Sequence, residues 1–156
     1  MSSEPPGYEL PIWLFLGFRT LIDALHAELA RQGHPALRPL HGFVFQAIGP
    51  DGSTAAELGR RLGISKQAAG KTIAALEQLG YLERGPDARD ARRKVVRLTA
   101  RGTDALVRSA RIFDGLRAGW AGVVGPDRLR ALEADLRTLT AGSTFRLDVP
   151  GWFGPN

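Results

Sequence analysis

Apolar residues recur at helical spacing through most of the chain, and this pattern sets out its elements. Positions three and four apart share one face of a helix, so each recurrence predicts an amphipathic helix. The Gly-Pro-Asp-Gly stretch at 49–52 and the Gly-Pro pair at 125–126 separate these helices as turn signals. The predicted helices span residues 10–32, 37–48, 54–62, 65–80, 99–122 and 126–140.

Two of these helices are short and adjacent, and polar residues mark their ends. Thr54 is a good N-cap, and Glu57 three positions later completes a capping box. Gly63 ends the first helix where a left-handed residue is needed, and Ser65 caps the second. This order predicts a helix-turn-helix, whose second helix in DNA-binding proteins enters the major groove.

The second helix of the pair has two different faces. Ala69, Ile73, Leu76 and Leu79 form an apolar stripe that is expected to face the core. A glutamine on the opposite face suits adenine, and lysines there suit guanine edges or phosphates. A plain helical hairpin with solvated lysines would share this pattern. The predicted major-groove residues are Ser65, Lys66, Gln67, Ala68, Gly70 and Lys71.

Alternation of apolar and polar residues after this helix predicts a two-stranded ribbon. The strands are expected over 82–84 and 94–98, where Val96 and Leu98 alternate with Val95 and Arg97, as in a half-buried strand. A basic hairpin beside a major-groove helix can place an arginine in the adjacent minor groove, although a solvated loop would also be polar. The residues predicted to contact DNA from this ribbon are Arg84, Arg89, Asp90, Arg92, Arg93 and Lys94.

Over residues 54–102 the chain resembles the multiple-antibiotic-resistance-regulator (MarR) family of winged helix-turn-helix transcription factors. The resemblance implies double-stranded DNA as partner and dimerisation through the flanking helices. One departure is in the ribbon, or wing, where the family's Asp-Arg-Arg reads Asp90-Ala91-Arg92, so that Arg92 holds the matching position. The residues that carry the resemblance are Glu57, Leu58, Leu62–Ser65, Leu76, Glu77, Leu79–Tyr81, Arg84, Asp90, Arg92, Val96, Leu98, Thr99 and Gly102.

The expected fold class is therefore mainly α (α+β), a winged helix-turn-helix with N- and C-terminal dimerisation helices. The whole chain, 1–156, is one domain, with a DNA-binding lobe at 37–101 and a dimerisation lobe at 10–32 and 103–156. The first helix is apolar on more than one side and so needs a second partner, most simply in a homodimer. The apolar tail Val149–Phe153 is expected to pack on the dimerisation helices, or else to fray.

Composition favours some classes of partner and excludes some kinds of site. A formal charge of +5 in 156 residues, with a pI of about 10.4, suits a polyanionic partner. The absence of cysteine excludes disulfides, zinc fingers and thiol sensors. The apolar run at 11–18 is short for a membrane span and is followed by Arg19 and Asp23, so we expect no membrane partner and a cytoplasmic protein.

The same resemblance implies that a small aromatic or anionic effector can bind between the lobes. Arg19 could balance an anion, and the aromatic residues could equally be core. No cofactor, metal site or enzymatic constellation is expected. The predicted function is an operator-binding homodimeric regulator, a repressor, of pseudo-palindromic DNA; the alternatives are a winged helix that binds protein and a metal-responsive regulator. The predicted effector pocket is Trp13, Phe18, Arg19, His41, Phe45 and Trp120.

Overall fold

The structure, a computed structural model, describes residues 4–144 and residue 146 and confirms the mainly helical fold. The tail at 149–153 lies outside the described residues. Six helices and one antiparallel ribbon follow in the predicted order. Their bounds are α1 Glu9–Arg31, α2 Pro39–Ile48, α3 Ala55–Leu62, α4 Lys66–Gln78, β1 Leu82–Pro86, β2 Lys94–Leu98, α5 Ala100–Val124 and α6 Pro126–Leu139.

Short-range hydrogen bonds at the helix ends explain why the winged region forms where it does. The Thr54 hydroxyl accepts the Glu57 N–H at 3.2 Å, and the Glu57 carboxylate accepts the Thr54 N–H at 2.9 Å. Gly63 is left-handed with φ of 65°, and the Ser65 hydroxyl accepts the Ala68 N–H at 3.0 Å. These bonds satisfy backbone donors that a helix start leaves unpaired.

The core lies between α2, α3, α4 and the ribbon, and Leu25 and Leu29 of α1 and Ala105 of α5 extend it. It is built from side chains of the predicted inward faces, and its members are nearly inaccessible to water. Leu79 was predicted to join this core, but it is 39% exposed. The reason is that α4 ends at Gln78, and the left-handed Gly80 turns the chain away immediately after Leu79.

The wing is longer and more deeply packed than the alternating pattern indicated. β1 pairs with β2 from Leu82 opposite Leu98 to Pro86 opposite Lys94. Ser53 adds a further pairing, exchanging N–H and C=O bonds with Val96 at 3.1 and 2.8 Å. Val95 and Val96 are both buried, although they point to opposite faces of the strand, because the 51–53 segment lies against Val95.

The terminal helices are only partly covered within one protomer. α1 packs on α5 through its C-terminal half, where Ile22, Leu25 and Leu29 are buried. The N-terminal half of α1 is exposed along several large apolar residues. They are Leu10, Ile12, Trp13, Leu14, Phe15 and Leu16.

α6 is covered only near its start. Leu129 is buried, whereas Leu132 is 45% and Leu139 is 78% exposed. α6 contacts α5, which leaves much of its apolar stripe open within one protomer.

By length and composition alone, α1 is the one helix of the described chain that could cross a membrane. A core helix of a water-soluble protein can pass the same test. Arg19 and Asp23, which follow the apolar run, do not end the helix but form an ion pair at 3.1 Å one turn apart.

Candidate nucleic-acid interface

The outward face of α4 is open to a partner along its N-terminal half. Ser65, Lys66, Gln67, Ala68 and Lys71 are all exposed, as the predicted major-groove contacts require. Gly70 is the informative sixth position, since a Cβ built there would meet nothing within 4 Å. No contact within the described protomer therefore requires a glycine at this point of the helix.

The helix pair that presents this face is held by close backbone contact. A Cβ at Gly59 in α3 would lie 2.9 Å from the Ile64 carbonyl oxygen, so only glycine allows the tight turn between α3 and α4. Arg61 braces the other side of α3, donating to the Ser53 hydroxyl at 2.8 Å and to the Ala47 carbonyl oxygen.

Three of the predicted wing arginines are engaged in ion pairs within the protomer. Arg93 pairs with Glu57 of α3, and Arg89 approaches Asp51 at 3.4 Å. Hydrogen bonds from the Thr54 N–H and from Arg93 hold the pKa of the Glu57 carboxyl below its usual range. The Arg93 pair thus ties the wing to the helix-turn-helix. The third pair joins Arg84 to Glu77 of α4 at 2.6 Å.

Arg92 and Lys94 differ from these arginines because their side chains have no ion-pair partner in the part of the chain that the structure describes. Both are exposed. The Asp90 carboxylate accepts the Arg92 backbone N–H at 3.0 Å, which shapes the wing tip and leaves the guanidinium unengaged. Arg92 is thus the wing arginine best placed to meet a phosphate or a groove.

Arg60 is a basic residue that the sequence analysis did not single out. It lies near the end of α3, is exposed, and has no ion pair with any residue in 4–144. We define the unpaired cations as the exposed basic side chains of α3, α4 and the wing whose charged groups have no ion-pair or hydrogen-bond partner among the described residues. They are Lys66, Lys71, Arg92, Lys94 and Arg60. The sequence predicted the first four as DNA contacts, but only the three-dimensional structure separates them from the paired arginines beside them.

The six residues of the predicted effector pocket do not come together around one cavity. Trp13 is 63% exposed near the start of α1, and Arg19 pairs with Asp23 on the helix surface. Trp120 lies against Gly17, and Phe18 is half-buried. His41 is buried with Nδ1 accepting the Arg38 N–H at 3.0 Å.

A cavity of about 130 Å³ lies instead between α1, α2 and α5, and Phe45 is the one predicted residue that lines it. Its wall is mainly apolar and includes Leu25, Phe43 and Phe113. His26 also lines it, and its Nδ1 is buried with no hydrogen-bond partner among the described residues. Burial lowers the pKa of His26, which favours the neutral ring.

Burial also lowers the pKa of His41. Desolvation, followed by the charges of Arg38 and His26, lowers the His41 pKa to about 4. The neutral ring accepts the Arg38 N–H and caps α2. Within residues 4–144 and 146, no group of three or more His, Asp or Glu side chains is arranged to hold a metal ion.

Residues 40–93, which run from α2 through the wing tip, match the model of the MarR family. By this match, the winged region of the chain is similar to proteins of the MarR family. Members of the MarR family are DNA-binding transcription regulators and are not enzymes. A search of curated proteins gave no significant match.

Solved structures extend the likeness in fold to nearly the whole chain. FabT from Streptococcus pneumoniae, in complex with DNA, superposes with a TM-score of 0.74 at 15% identity, over 87% of this chain and 96% of that one. CouR from Rhodococcus jostii RHA1, bound to p-coumaroyl-CoA, gives 0.67 at 15% identity, over 90% and 98%. A MarR-family regulator from Rhodococcus sp. RHA1 gives 0.65 at 15% identity, over 88% and 96%.

Proposed function

We propose that this protein is a transcriptional repressor that binds a pseudo-palindromic operator as a homodimer in the cytoplasm. In each protomer, residues 65–71 of α4 would enter the major groove, and the wing tip at 89–93 would reach the adjacent minor groove. A dimer seated on such a site excludes other proteins from the same DNA, and repression follows from that exclusion.

The single observation that carries this proposal is the distribution of the unpaired cations. Most wing arginines are neutralised by carboxylates of the same protomer, whereas Lys66, Lys71 and Arg92 keep their charges exposed. These three lie on the helix and the hairpin that a winged helix presents to DNA. Phosphate contacts from such side chains release counterions and supply most of the non-specific affinity for DNA.

A second copy of the chain is proposed to cover the exposed half of α1. Six large apolar side chains in residues 10–16 remain open to water in one protomer. Clustered apolar exposure of this kind marks protein interfaces more often than free surface. Two-fold pairing would place the two recognition helices about 34 Å apart, one turn of DNA, and so imposes palindromic symmetry on the site.

The test is selection of bound DNA from a random pool, followed by titration of salt. We expect an inverted repeat whose halves are one helical turn apart, and an affinity that falls steeply as salt rises. The alternative, a winged helix that binds protein, predicts no enriched sequence and weak DNA binding with little salt dependence. A metal-responsive regulator predicts that added divalent metal changes operator affinity and that chelation reverses the change.

We further propose that a small effector releases the operator by binding the cavity between α1, α2 and α5. A cavity of about 130 Å³ is close in size to engineered cavities that hold benzene. Its wall contains no lysine or arginine, while His26 Nδ1 offers one unused acceptor. These features favour an uncharged single aromatic ring with a hydroxyl donor over a carboxylate anion.

Operator release measured with phenol, toluene and benzoate tests this effector class. We expect release by phenol, less by toluene, and none by benzoate. His26→Leu should remove the advantage of phenol over toluene and leave operator binding without ligand intact. Release by benzoate alone would contradict the assignment, and no release by any member of a wider panel would leave a regulator without an effector of this kind.

A further inference from the structure

A buried hydrogen-bond network joins three parts of the chain that are far apart in sequence. His34, in the loop after α1, is 3% exposed, and its Nδ1 lies 2.8 Å from the hydroxyl of Tyr81. Its Nε2 lies 2.8 Å from the carboxylate of Asp104 in α5. The network therefore spans the end of α1, the junction of α4 and β1, and the start of α5.

The carboxylate fixes the direction of the hydrogen bond at one end of the network. An ionised carboxylate only accepts, so His34 Nε2–H donates to Asp104. When the ring carries this one proton, Nδ1 accepts the Tyr81 hydroxyl proton. Arg108 holds the carboxylate in place, donating to it at 2.8 Å and to the Gln32 side chain at 3.1 Å. Arg108 therefore orients the carboxylate that orients the His34 ring.

Tyr81 is the point at which this network reaches the recognition helix. It lies between α4 and β1, it is fully buried, and its N–H donates to the Leu76 carbonyl at 2.9 Å. Its own carbonyl accepts the Thr99 N–H at 3.0 Å. A Cβ at Gly102 of α5 would lie 2.3 Å from that carbonyl oxygen, so the two backbones are in direct contact.

Arg101 adds a contact between Tyr81 and the loop after α1. Its guanidinium lies over the Tyr81 ring at 4.7 Å and donates to the Gly33 carbonyl at 3.2 Å. The C-terminal end of α4 is consequently fixed to both α1 and α5 by side-chain and backbone bonds. In contrast, the exposed residues predicted to contact the major groove lie in the N-terminal half of α4.

We propose that His34 is a positioning residue for DNA binding, acting through Tyr81 to set the angle of α4 against α1 and α5. Because α1 and α5 belong to the helices that would pair two protomers, this angle sets the separation of the two recognition helices. This inference rests on the proposed function as a dimeric DNA-binding regulator. It gives His34 no contact with DNA.

Tyr81→Phe tests whether the hydrogen bond to His34 positions α4, because the variant leaves the packing of the ring unchanged. It removes one hydroxyl, keeps the ring in the core, and leaves His34 Nδ1 a buried acceptor without its donor. The matched control is Tyr8→Phe at the other tyrosine of the chain, which is exposed at the start of α1. Asp104→Ala breaks the network from its exposed end and should not disturb folding, since this side chain is 47% exposed.

The experiment measures affinity for the selected operator and for versions with one base pair added to or removed from between the half-sites. One base pair rotates the half-sites by about 34°. A rigid wild-type dimer should lose about tenfold or more in affinity on either change. Tyr81→Phe and Asp104→Ala should flatten this preference to about threefold or less, and Tyr8→Phe should match the wild type.

A purely structural role for His34 would lower the melting temperature and weaken binding to all three spacings equally. That outcome, or an unchanged preference in both variants, overturns the inference while leaving the proposed function standing. A wild-type protein that binds none of the duplexes overturns both. If Tyr81→Phe does not fold, Asp104→Ala decides the question alone, because its flattened preference supports the inference and its unchanged preference overturns it.

Discussion

The winged helix and the terminal helices of this protein differ in what covers their apolar side chains. In α2, α3, α4 and the ribbon, the inward faces meet one another, and helix caps satisfy the starts of α3 and α4. In α1 and α6, apolar side chains of the same kind stay exposed at one end of the helix. The winged helix thus covers its apolar faces within one chain, whereas the terminal helices leave part of theirs open.

The largest expected effect, on both assembly and operator affinity, comes from a charge placed on the exposed apolar face of α1. Leu16→Glu puts a carboxylate among exposed apolar residues of α1 and should convert a dimer into a chain of 16.9 kDa. Operator affinity should fall about a hundredfold or more, because the second half-site is no longer bound by the same molecule. Sedimentation velocity and operator titration measure both effects.

The matched control is Leu79→Glu, which alters a leucine of similar exposure in the winged helix. It should leave the mass of the assembly unchanged. Equal masses for the Leu16 variant and the wild type would show that α1 is not the pairing surface.

The next effect concerns the unpaired cations. Lys71→Ala and Arg92→Ala should each weaken operator binding by about tenfold, within the range of 1–3 kcal/mol that a well-placed DNA contact contributes. The salt slope should decrease by about one for each lost phosphate contact. The loss with Arg92→Ala should be largest on operators with A·T-rich flanks, where the minor groove is narrow.

Arg130→Ala, in α6, removes an equal charge far along the chain from α4 and the wing and serves as the control. Fluorescence titration at several salt concentrations measures all three variants. Binding by the Arg92 variant that equals that of the wild type would exclude the minor-groove assignment.

Replacement by alanine at two glycines of the winged helix should change the stability of the fold in opposite directions. Gly70→Ala should stabilise the fold by about 1 kcal/mol, because alanine favours a helix interior and its Cβ meets no atom of the protomer. The same methyl group should weaken operator binding several-fold if DNA lies against this face. Gly59→Ala should instead destabilise the fold, since its Cβ would press on the Ile64 carbonyl.

Urea unfolding and operator titration of both variants measure these changes. A stabilised Gly70 variant with undiminished DNA affinity would indicate that the DNA does not approach α4 at this residue.

The smallest effect is a pH dependence within the buried part of the molecule. The His41 pKa is lowered to about 4 in the fold from 6.5, so the unfolded chain binds the proton more readily. The stability due to neutral His41 is therefore fully present above pH 6.5 and is lost as pH falls towards 4. Between pH 7 and 5.5 the free energy of unfolding should decrease by about 1 kcal/mol.

His41→Asn keeps an acceptor for the Arg38 N–H but does not titrate, so its unfolding free energy should vary less over this range. Urea unfolding at equal protein concentration measures the difference. An identical pH slope in the variant and the wild type would show that another group is responsible.

Local sequence signals predicted the winged helix well because its boundaries depend on neighbouring residues. Thr54, Glu57, Gly63 and Ser65 form their caps and turns within four positions, and the structure has them as expected. The exposure of Lys66, Lys71 and Gln67 follows from the same periodicity, since it is fixed once the opposite stripe is buried.

Contacts between segments distant in sequence decided the buried network, the pairing of the wing arginines and the cavity. No local pattern indicates a partner for His34, yet it bonds to Tyr81 and Asp104, 47 and 70 positions away. Arg93 and Arg92 are adjacent and chemically identical, and only the position of Glu57 separates the paired guanidinium from the unpaired one. The cavity residues likewise come from three helices that no local pattern brings together.

The sequence by itself determined the order of the helices, the ribbon and the outward face of α4, because helix period, capping and turn chemistry act over a few residues. Tertiary structure decided which charges remain available, which aromatic side chains meet, and how α4 is held against α5. These depend on distances between segments remote in sequence, which packing sets only once the chain has folded.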